Sequence, residues 1–302
     1  MRSIIRDLHK NWMLHLMILP CLMLLVVFSY IPLFGLKMAF EKFIAAKGLF
    51  GNQEWVGIKN FTFLFAMPDF GYAIRNTLAI SIWKLTMTML ISIVFAILIN
   101  ELRNRTYKRT IQTIVYLPHF ISWIILSGIF IDLLSPSEGI VNSLIKALGG
   151  NPIFFLGSNK WFQPTMIITD VWKEFGFGTI VYLAAITSID PTLYEAAIVD
   201  GANKWRQILH ITLPGLANII TLMALLNIGG ILGGNFDQIV NMYSPQVYRT
   251  GDILDTLVYR IGLTEFNFSL ATAVGLFKSA ISLILIGSSY FLAYKIADYR
   301  IF

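Results

Sequence analysis

An otherwise apolar run over residues 164–189 contains three charged side chains, Asp170, Lys173 and Glu174. Charged side chains are costly inside a membrane, and those that occur there pair with one another or serve a function. Asp170 and Lys173 are spaced to pair on one helical face, whereas Asp170 and Glu174 at their spacing repel each other. This group therefore predicts either polar contacts to a solute or an ion pair near the membrane surface.

Aromatic and amide side chains add a way to hold a ring-shaped polar solute. Trp172 and Phe175 offer flat faces to the apolar side of a ring, and Asn227 and Asn235 can hydrogen-bond its hydroxyl groups. Pockets of this plan, apolar with a few placed polar groups, are usual for small ligands. Lys278, in the last apolar run, can extend to the membrane surface or meet an anionic solute. The alternative for the aromatic and amide residues is a role in the aromatic belt or in helix packing.

A short and comparatively polar segment, residues 190–214, lies between two long apolar runs. Asp190 is an N-cap residue by type, and Pro191 suits the first helical turn, where its missing N–H loses no bond. Residues 192–199 then make about two turns of helix. Gly201 can adopt a left-handed conformation that turns the chain sharply, and a second short helix begins near Asn203. The segment is predicted to be a rigid helix-turn-helix knob.

The surface of this knob carries a carboxylate beside small side chains. Glu195 and Val199 share one helical face, because they are one turn apart. Ala196 and Ala197 are small, so another surface can approach closely there. Such a knob can transmit force from a partner. The alternative is an ordinary amphipathic connector between two helices.

The chain carries no sequence signature of catalysis or nucleotide binding. The phosphate loop G-x-x-x-x-G-K-[ST], the elbow G-x-S-x-G and the zinc motif H-E-x-x-H are all absent. The single cysteine, Cys21, allows no internal disulfide, and the four histidines form no metal motif. We predict no catalytic residue and no metal or cofactor bound by this chain. Its energy source must then be a partner or an ion gradient.

The elements that position these residues are long apolar helices. The chain has 302 residues, of which 56% are hydrophobic and 13% charged, about half the charge of a soluble domain. Runs of about 18 or more apolar residues mark membrane spans, which must be helical because lipid offers no partner to backbone groups. The predicted spans are Leu14–Phe34, Ala73–Ile99, Ile111–Leu134, Pro164–Ile189, Ile208–Leu232 and Leu270–Ile296.

Basic residues gather in alternate connections between these spans and account for the net charge of +6. They are Arg2, Arg6, Lys10, Arg103, Arg105, Lys108, Arg109, Lys204, Arg206, Lys295 and Arg300. The connection before the last span holds acidic residues instead. Because short basic loops stay in the cytoplasm, both termini and the knob are predicted to be cytoplasmic. The first span lacks a small-x-small cleavage site and is predicted to be an uncleaved anchor.

The order of residue types in the knob resembles a known loop. Residues 195–197 read Glu-Ala-Ala, residues 200–201 read Asp-Gly, and residues 211–214 read Ile-Thr-Leu-Pro. This pattern is similar to the cytoplasmic loop by which membrane subunits of ABC importers bind their ATPase. The resemblance implies that the contact is carried by Glu195, Ala196, Ala197, Asp200, Gly201 and Ala202. Among these, Asp200 and Ala202 match the variant found in sugar permeases.

The resemblance covers nearly the whole chain. Residues 55–61, Trp-Val-Gly-Ile-Lys-Asn-Phe, followed by Pro68 and by Asn-Thr at 76–77, look like carbohydrate permeases of the maltose and glycerol-phosphate type. Residues 117–123, Leu-Pro-His-Phe-Ile-Ser-Trp, and residues 244–248, Ser-Pro-Gln-Val-Tyr, resemble a narrower branch. That branch handles oligosaccharides, including uronate-containing fragments of plant or algal polysaccharides.

The resemblance implies an all-α membrane protein with six transmembrane helices and the type I ABC importer permease fold. It implies a single permease domain over residues 1–302, with a core of about 72–297 and a coupling loop of about 190–214. The implied function is ATP-driven uptake of a sugar, an oligosaccharide by its branch, across the bacterial cytoplasmic membrane. Implied partners are a second, different permease, an extracytoplasmic sugar-binding protein, and a dimer of ATPase subunits that uses ATP and Mg.

The sugar path implied by this assembly runs between the two permeases. Its candidate lining is Asp170, Trp172, Phe175, Asn227, Asn235 and Lys278. Two alternatives remain open. One is an ABC importer for another small polar solute. The other is an ion-coupled secondary carrier, which would often show an internal repeat; the two halves of this sequence show no convincing self-similarity.

Overall fold

The structure is a computed structural model that describes residues 11–233 and 236–297. The predictions on Arg2, Arg6, Lys10, Asn235 and Arg300 lie outside these residues. The described chain forms two compact units. One comprises the described residues up to Ala66 with Val258–Phe277, and the other comprises Met67–Leu257 with the described residues from Lys278. That the whole chain is one permease domain stays a prediction.

The first unit begins with a long apolar helical rod. The rod consists of α1 (Trp12–Leu25), a π turn (Val26–Tyr30) and a 3-10 segment (Ile31–Phe40). It is followed by β1 (Glu41–Lys42), β2 (Glu54–Trp55) and α2 (Lys59–Ala66). The two strands pair antiparallel, and the ring of Phe40 stacks on Trp55 at 5.6 Å. No part of the rod's most apolar stretch is buried. Its side chains are therefore available to lipid or to another chain.

The helices that follow belong mainly to the second unit, with α13 and α14 carrying residues of both. They are α3 (Pro68–Asn100), α4 (Arg105–Tyr116), α5 (Trp123–Leu133), α6 (Ile140–Ala147), α7 (Phe162–Thr187), α8 (Pro191–Val199), α9 (Lys204–Gln207), α10 (Leu213–Gly229), α11 (Phe236–Met242), α12 (Tyr248–Gly251), α13 (Leu254–Tyr259) and α14 (Phe268–Ala297). A 3-10 turn (Leu117–Phe120) extends α4, and a π turn (Ile208–Thr212) joins α9 to α10.

Helices α3 and α7 pack along their length and run in the same direction. Ser92 of α3 donates to the carbonyl of Phe175 at 2.8 Å, and Thr179 donates back to the carbonyl of Ser92 at 3.3 Å. A Cβ on Gly178 would lie 2.6 Å from Ser92 Oγ, so this glycine permits the close approach. Because the two helices are parallel, the chain ends both α3 and α7 at one end of the second unit.

Two apolar clusters lie along this pair. One, near the start of both helices, contains Ile80, Phe162 and Met166 with residues from α11 to Ile253. The other, near their ends, contains Ala96, Tyr182 and Leu183 with Leu216 of α10. Lys84 of α3 lies between the two clusters, level with Asp170 of α7, and Lys173 and Glu174 follow on α7. The structure therefore keeps a polar layer in the middle of an apolar core.

Membrane-length helices occur where the sequence predicts them, with one correction. Among the described residues, four helices are long and apolar enough to cross a membrane: Trp12–Phe40, Pro68–Asn100, Lys204–Ile228 and Phe268–Leu292. The count rises to six if each bent pair is one span. The prediction of a single helix over residues 111–134 is wrong, because Arg105–Phe120 and Trp123–Leu133 meet at 100°. Pro118 leads into this corner and Ser122 caps the next helix. The all-α membrane class is confirmed.

Candidate functional site

A cavity of about 450 Å³ lies between α3, α7 and α10, at the level of the polar layer. Its lining comprises Ser81, Lys84, Leu85, Thr88, Met89, Ser92, Trp123, Asp170, Glu174, Phe177, Gly178, Tyr182, Met223, Asn227, Gly230 and Ile231. The walls are mostly apolar with a few hydroxyl, amide and charged groups. This composition is that of a site for a small polar molecule rather than of a packed helix interface.

Lys84 is the buried charge that sequence reasoning missed. Its side chain is 5% exposed, and its Nζ lies 3.1 Å from Asp170 Oδ1. The Nζ also donates to Gln238 Oε1 of α11. Gln238 is itself fixed, because its Nε2 donates to Met166 O at 2.9 Å and to Thr169 Oγ1 at 2.8 Å. A lysine well inside a predicted membrane span was the signal that could have identified it.

Glu174 belongs to a second charged group at the corner between α4 and α5. Its Oε1 accepts from Lys173 Nζ at 2.8 Å, and its Oε2 lies 2.7 Å from His119 Nδ1. Lys173 also donates to the carbonyl of His119 at 2.8 Å, and the His119 ring stacks on Phe177 at 4.0 Å. The predicted pairing of Asp170 with Lys173 is therefore wrong. Each carboxylate has its own cation, because α7 lies between α3 and the corner.

The aromatic residues that line the cavity differ from those that the sequence suggested. Trp172 is 45% exposed and packs edge-on against Phe130, and it is not part of the lining. Phe175 packs against Phe95 with ring centroids 4.7 Å apart. Their predicted role in a path between two permeases is untested and stays a prediction. The aromatic side chains of the cavity are instead Trp123, Phe177 and Tyr182.

The remaining candidate binding residues are divided. Asn227 lines the cavity, and its Nδ2 donates to the carbonyl of Met223 at 2.7 Å, which leaves its Oδ1 available. Lys278 is away from the lining and forms an ion pair with Asp255. Asn235 lies outside the described residues. The cavity therefore unites Asp170 and Asn227 from the predicted set.

The knob is built as its sequence predicts. The side chain of Asp190 accepts from the backbone N–H of Thr192 at 2.9 Å, and this hydrogen bond lowers the pKa of the Asp190 carboxyl. Helix α8 begins at Pro191 and ends in a left-handed Gly201 with φ of 74°. The N–H groups of Gly201 and Ala202 donate to the carbonyls of Ile198 and Ala197. This pair of bonds is the Schellman motif, which satisfies the last carbonyls of the helix.

The second part of the knob is also capped and is tied to its neighbours. Asn203 Oδ1 accepts from the backbone N–H of Arg206 at 3.0 Å and starts α9. Tyr194 of α8 and Thr212 of the π turn join their hydroxyls at 3.0 Å. Lys204 Nζ lies 2.8 Å from Glu101 at the end of α3. The knob is thus braced against α10 and placed at the same end of the second unit as the basic connection after α3.

The outer surface of the knob is more apolar than its motif suggests. Glu195, Ala196, Asp200 and Gly201 are exposed, and Ala197 and Ala202 are half-buried. Beside them Val199 is 87% and Trp205 72% exposed. Exposed apolar side chains grouped with charged ones are typical of a docking surface. Sequence reasoning missed Trp205, although a tryptophan between two basic residues in a polar loop is an unusual surface residue.

The described part of the chain holds no group of three His, Cys, Asp or Glu side chains that could bind a metal ion. Its acidic side chains instead pair with lysines, one arginine and one histidine. The geometry offers a polar cavity and a docking surface, and neither presents a nucleophile beside a base.

Comparison with known proteins identifies relatives along the whole chain. The family model described as binding-protein-dependent transport system inner membrane component matches residues 88–302. The chain is 40% identical over 301 residues to the Bacillus subtilis polygalacturonan/rhamnogalacturonan transport system permease protein YteP, covering 100% of this chain and 93% of that protein. It is 39% identical to Bacillus subtilis protein LplB, covering 95% and 90%.

A solved structure shares the fold. It is the crystal structure of a bacterial ABC transporter involved in the import of the acidic polysaccharide alginate. One of its chains is 38% identical to this chain, with a TM-score of 0.88 and coverage of 97% of this chain and 99% of that one. A second matching structure, also 38% identical with a TM-score of 0.88, is of a bacterial alginate ABC transporter in complex with an alginate pentasaccharide-bound periplasmic protein. The predicted type I importer permease fold is confirmed.

Proposed function

The chain belongs to the family of binding-protein-dependent transport system inner membrane components, and on that premise we propose that it is the permease subunit of an ATP-driven importer for acidic oligosaccharides. The substrate class is suggested by two relatives, one named for polygalacturonan and rhamnogalacturonan and one for alginate. The carboxylate of a uronate ring is the chemical group that polygalacturonan, rhamnogalacturonan and alginate share.

The observation that carries ATP coupling is the geometry of the knob. A capped, Schellman-terminated helix presents Glu195 outward beside exposed Val199 and Trp205. A partner can bind such a surface, and the hydrogen bond between the hydroxyl groups of Tyr194 and Thr212 gives its motion a direct route into α10. We assign the contact to Glu195, Ala196, Ala197, Asp200, Gly201 and Ala202, with Val199 and Trp205 as apolar anchors.

The assembly that this implies has four kinds of component. This chain pairs with a second permease, and a dimer of ATPase subunits docks on the two knobs and hydrolyses ATP with Mg. An extracytoplasmic binding protein delivers the sugar. The knob and the connection after α3 share one end of the second unit, which supports a cytoplasmic position for both. The termini are assigned to the same side by their basic residues.

The sugar path runs along the polar layer between α3, α7 and α10. Trp123 and Phe177 can stack on the apolar face of a ring, and Asn227 and Asp170 can bind hydroxyl groups. The path opens outward when ATP closes the ATPase dimer and inward otherwise. Because the knob moves with the ATPase, the differential binding of ATP to the two states biases this equilibrium.

The test is uptake by the complete importer in proteoliposomes, with labelled trigalacturonate and maltotriose as probes. We expect uptake of trigalacturonate that requires both ATP and the binding protein. Glu195→Lys should abolish uptake without reducing the amount of chain in the membrane, because it reverses the charge at the docking surface. Glu138→Lys makes the same reversal at an exposed position outside the knob and should leave uptake unchanged.

Two results would contradict the proposal in different ways. Uptake driven by an ion gradient without ATP would identify a secondary carrier. ATP-dependent uptake of maltotriose alone would retain the importer and reject the acidic substrate class.

A further inference from the structure

We propose that Lys84 and Asp170 form an exchangeable ion pair that reads the carboxylate of an acidic sugar ring. The carboxylate of the sugar takes the place of Asp170 on Lys84 Nζ, and the released Asp170 accepts hydrogen bonds from hydroxyl groups of the same ring. This inference rests on the proposed function and names the residues that give it charge selectivity.

The cavity meets an incoming carboxylate with the ammonium group of Lys84. Among the described residues that line the cavity, Lys84 is the only one with a positively charged side chain. Lys173 is nearby, but its Nζ is held by Glu174 Oε1 and by the carbonyl of His119, both at 2.8 Å. A carboxylate that leaves water for an apolar cavity needs a cationic partner. An acidic ring that enters this cavity has Lys84 to meet.

Of the two carboxylates in the lining, Asp170 is the one that gives way to the sugar. Both oxygens of Glu174 are engaged, one by Lys173 and the other by His119 at 2.7 Å. Among the described residues, Asp170 has a side-chain partner at one oxygen only, Oδ1, which lies 3.1 Å from Lys84 Nζ. Its side chain is also more exposed than that of Lys84, 15% against 5%. Asp170 is therefore the carboxylate that can turn into the cavity while Glu174 stays fixed.

Lys84 keeps its place when Asp170 leaves. Its ammonium also donates to Gln238, whose amide is anchored on Met166 and Thr169. An ammonium has three N–H donors, so one can remain on Gln238 while another changes partner. The cation is thus presented to the cavity by a fixed amide rather than by the carboxylate that it exchanges.

An exchange of this kind suits a transit site. One ion pair is broken and one is formed, so an acidic ring is admitted without a large net gain that would trap it. A neutral ring offers no carboxylate to replace Asp170, and its hydroxyl groups bind an ammonium more weakly than a carboxylate does. The ion pair between Lys84 and Asp170 then stays formed when a neutral sugar enters. The permease itself therefore prefers acidic sugars.

The experiment compares uptake of trigalacturonate and of its fully methyl-esterified form by the complete importer. Lys84→Gln should lower the ratio of acid to ester uptake about tenfold or more, because a charge-assisted hydrogen bond is lost. Lys84→Arg keeps the charge and should keep the preference for the acid. Asp170→Asn removes the competing carboxylate and should lower the KM for trigalacturonate. Lys37→Gln opens a lysine–glutamate pair that is not part of the lining and should leave the ratio unchanged.

Each outcome decides one point. An acid-to-ester ratio in Lys84→Gln equal to that of the wild type, with trigalacturonate still imported, overturns the exchange and leaves the proposed function standing. A wild type that imports only the ester, or neither probe, overturns the acidic substrate class and the exchange together. If Lys84→Gln does not reach the membrane, Asp170→Asn decides, since a raised KM for trigalacturonate in that variant shows that Asp170 is not a competitor.

Discussion

The knob and the polar cavity are both built around charged side chains, but they are specified in different ways. The knob is made by residues 190–212, whose caps and turn are contacts between near neighbours in the sequence. The cavity joins Lys84 to Asp170, 86 positions away, and to Gln238, 154 positions away. The knob's charges are exposed, whereas in the cavity Lys84 is buried and Asp170 is largely buried. A local device can be changed without loss of the fold, whereas a buried long-range contact also supports it.

The largest expected effect is the difference in stability lost when a buried ion pair and an exposed ion pair are each broken. Lys84→Met leaves Asp170 buried without its cation and should destabilise the chain by about 3–5 kcal/mol. Lys204→Met opens the exposed pair with Glu101 and should cost about 0–1 kcal/mol, because solvent screens that pair. Thermal unfolding of the purified importer in detergent measures both.

A double variant is the control for this difference. Lys84→Met with Asp170→Leu removes both charges and should recover most of the lost stability, since no unpaired charge stays buried. Equal losses in Lys84→Met and Lys204→Met would mean that burial does not distinguish the two regions.

The next effect tests whether the knob acts through its backbone turn. Gly201 has a φ of 74°, and a Cβ there would meet no atom within 4 Å. Gly201→Val should therefore act through backbone strain of about 1–3 kcal/mol and not through a clash. We expect uptake to be abolished while the chain still inserts into the membrane. This loss would come from the coupling turn and not from a change in the cavity's preference for acidic sugars.

Asparagine at the same position is the matched control. Gly201→Asn should retain most uptake, because asparagine tolerates the left-handed conformation. Uptake and membrane insertion of both variants are measured side by side. If valine and asparagine behave alike, the turn geometry at Gly201 is not what the coupling requires.

The smallest effect concerns the brace between the knob and α10. Tyr194→Phe removes the hydroxyl contact with Thr212 and should cost about 0.5–1.5 kcal/mol, the worth of one hydrogen bond. Its effect should be larger on coupling than on stability, with fewer sugars imported per ATP hydrolysed. Tyr107→Phe, at an exposed tyrosine on α4, is the control. An unchanged ratio of uptake to ATP hydrolysis would show that motion reaches α10 by another route.

Sequence rules succeeded where the physical cause is local. Asp190, Pro191, Gly201 and Asn203 were placed correctly, because capping and left-handed turns depend on a few adjacent residues. The apolar spans were found because a run of residues is enough to predict membrane insertion. The corner at residues 121–122 was missed, since an apolar run does not record a change of direction.

The cavity was only half predictable because it depends on which helix face meets which neighbour. Asp170 and Asn227 line it, whereas Trp172 turns outward to Phe130 and Lys278 pairs with Asp255. Trp123 and Phe177 replace the expected aromatic pair. Which aromatic residues line the cavity depends on the parallel packing of α3 with α7 and on the corner at residues 121–122. Residue spacing within one helix predicts neither the packing nor the corner.

The π turn over Ile208–Thr212 sets the angle by which the knob is rotated about the axis of α10. A π turn holds one residue more than the α-helix around it. Deleting that residue would restore a continuous α-helix and rotate the knob by about 100° about the helix axis. Glu195 and Val199 would then point in a different direction around that axis, although their own helix would be unchanged. The direction in which this subunit presents its docking surface thus depends on the one extra residue in the π turn.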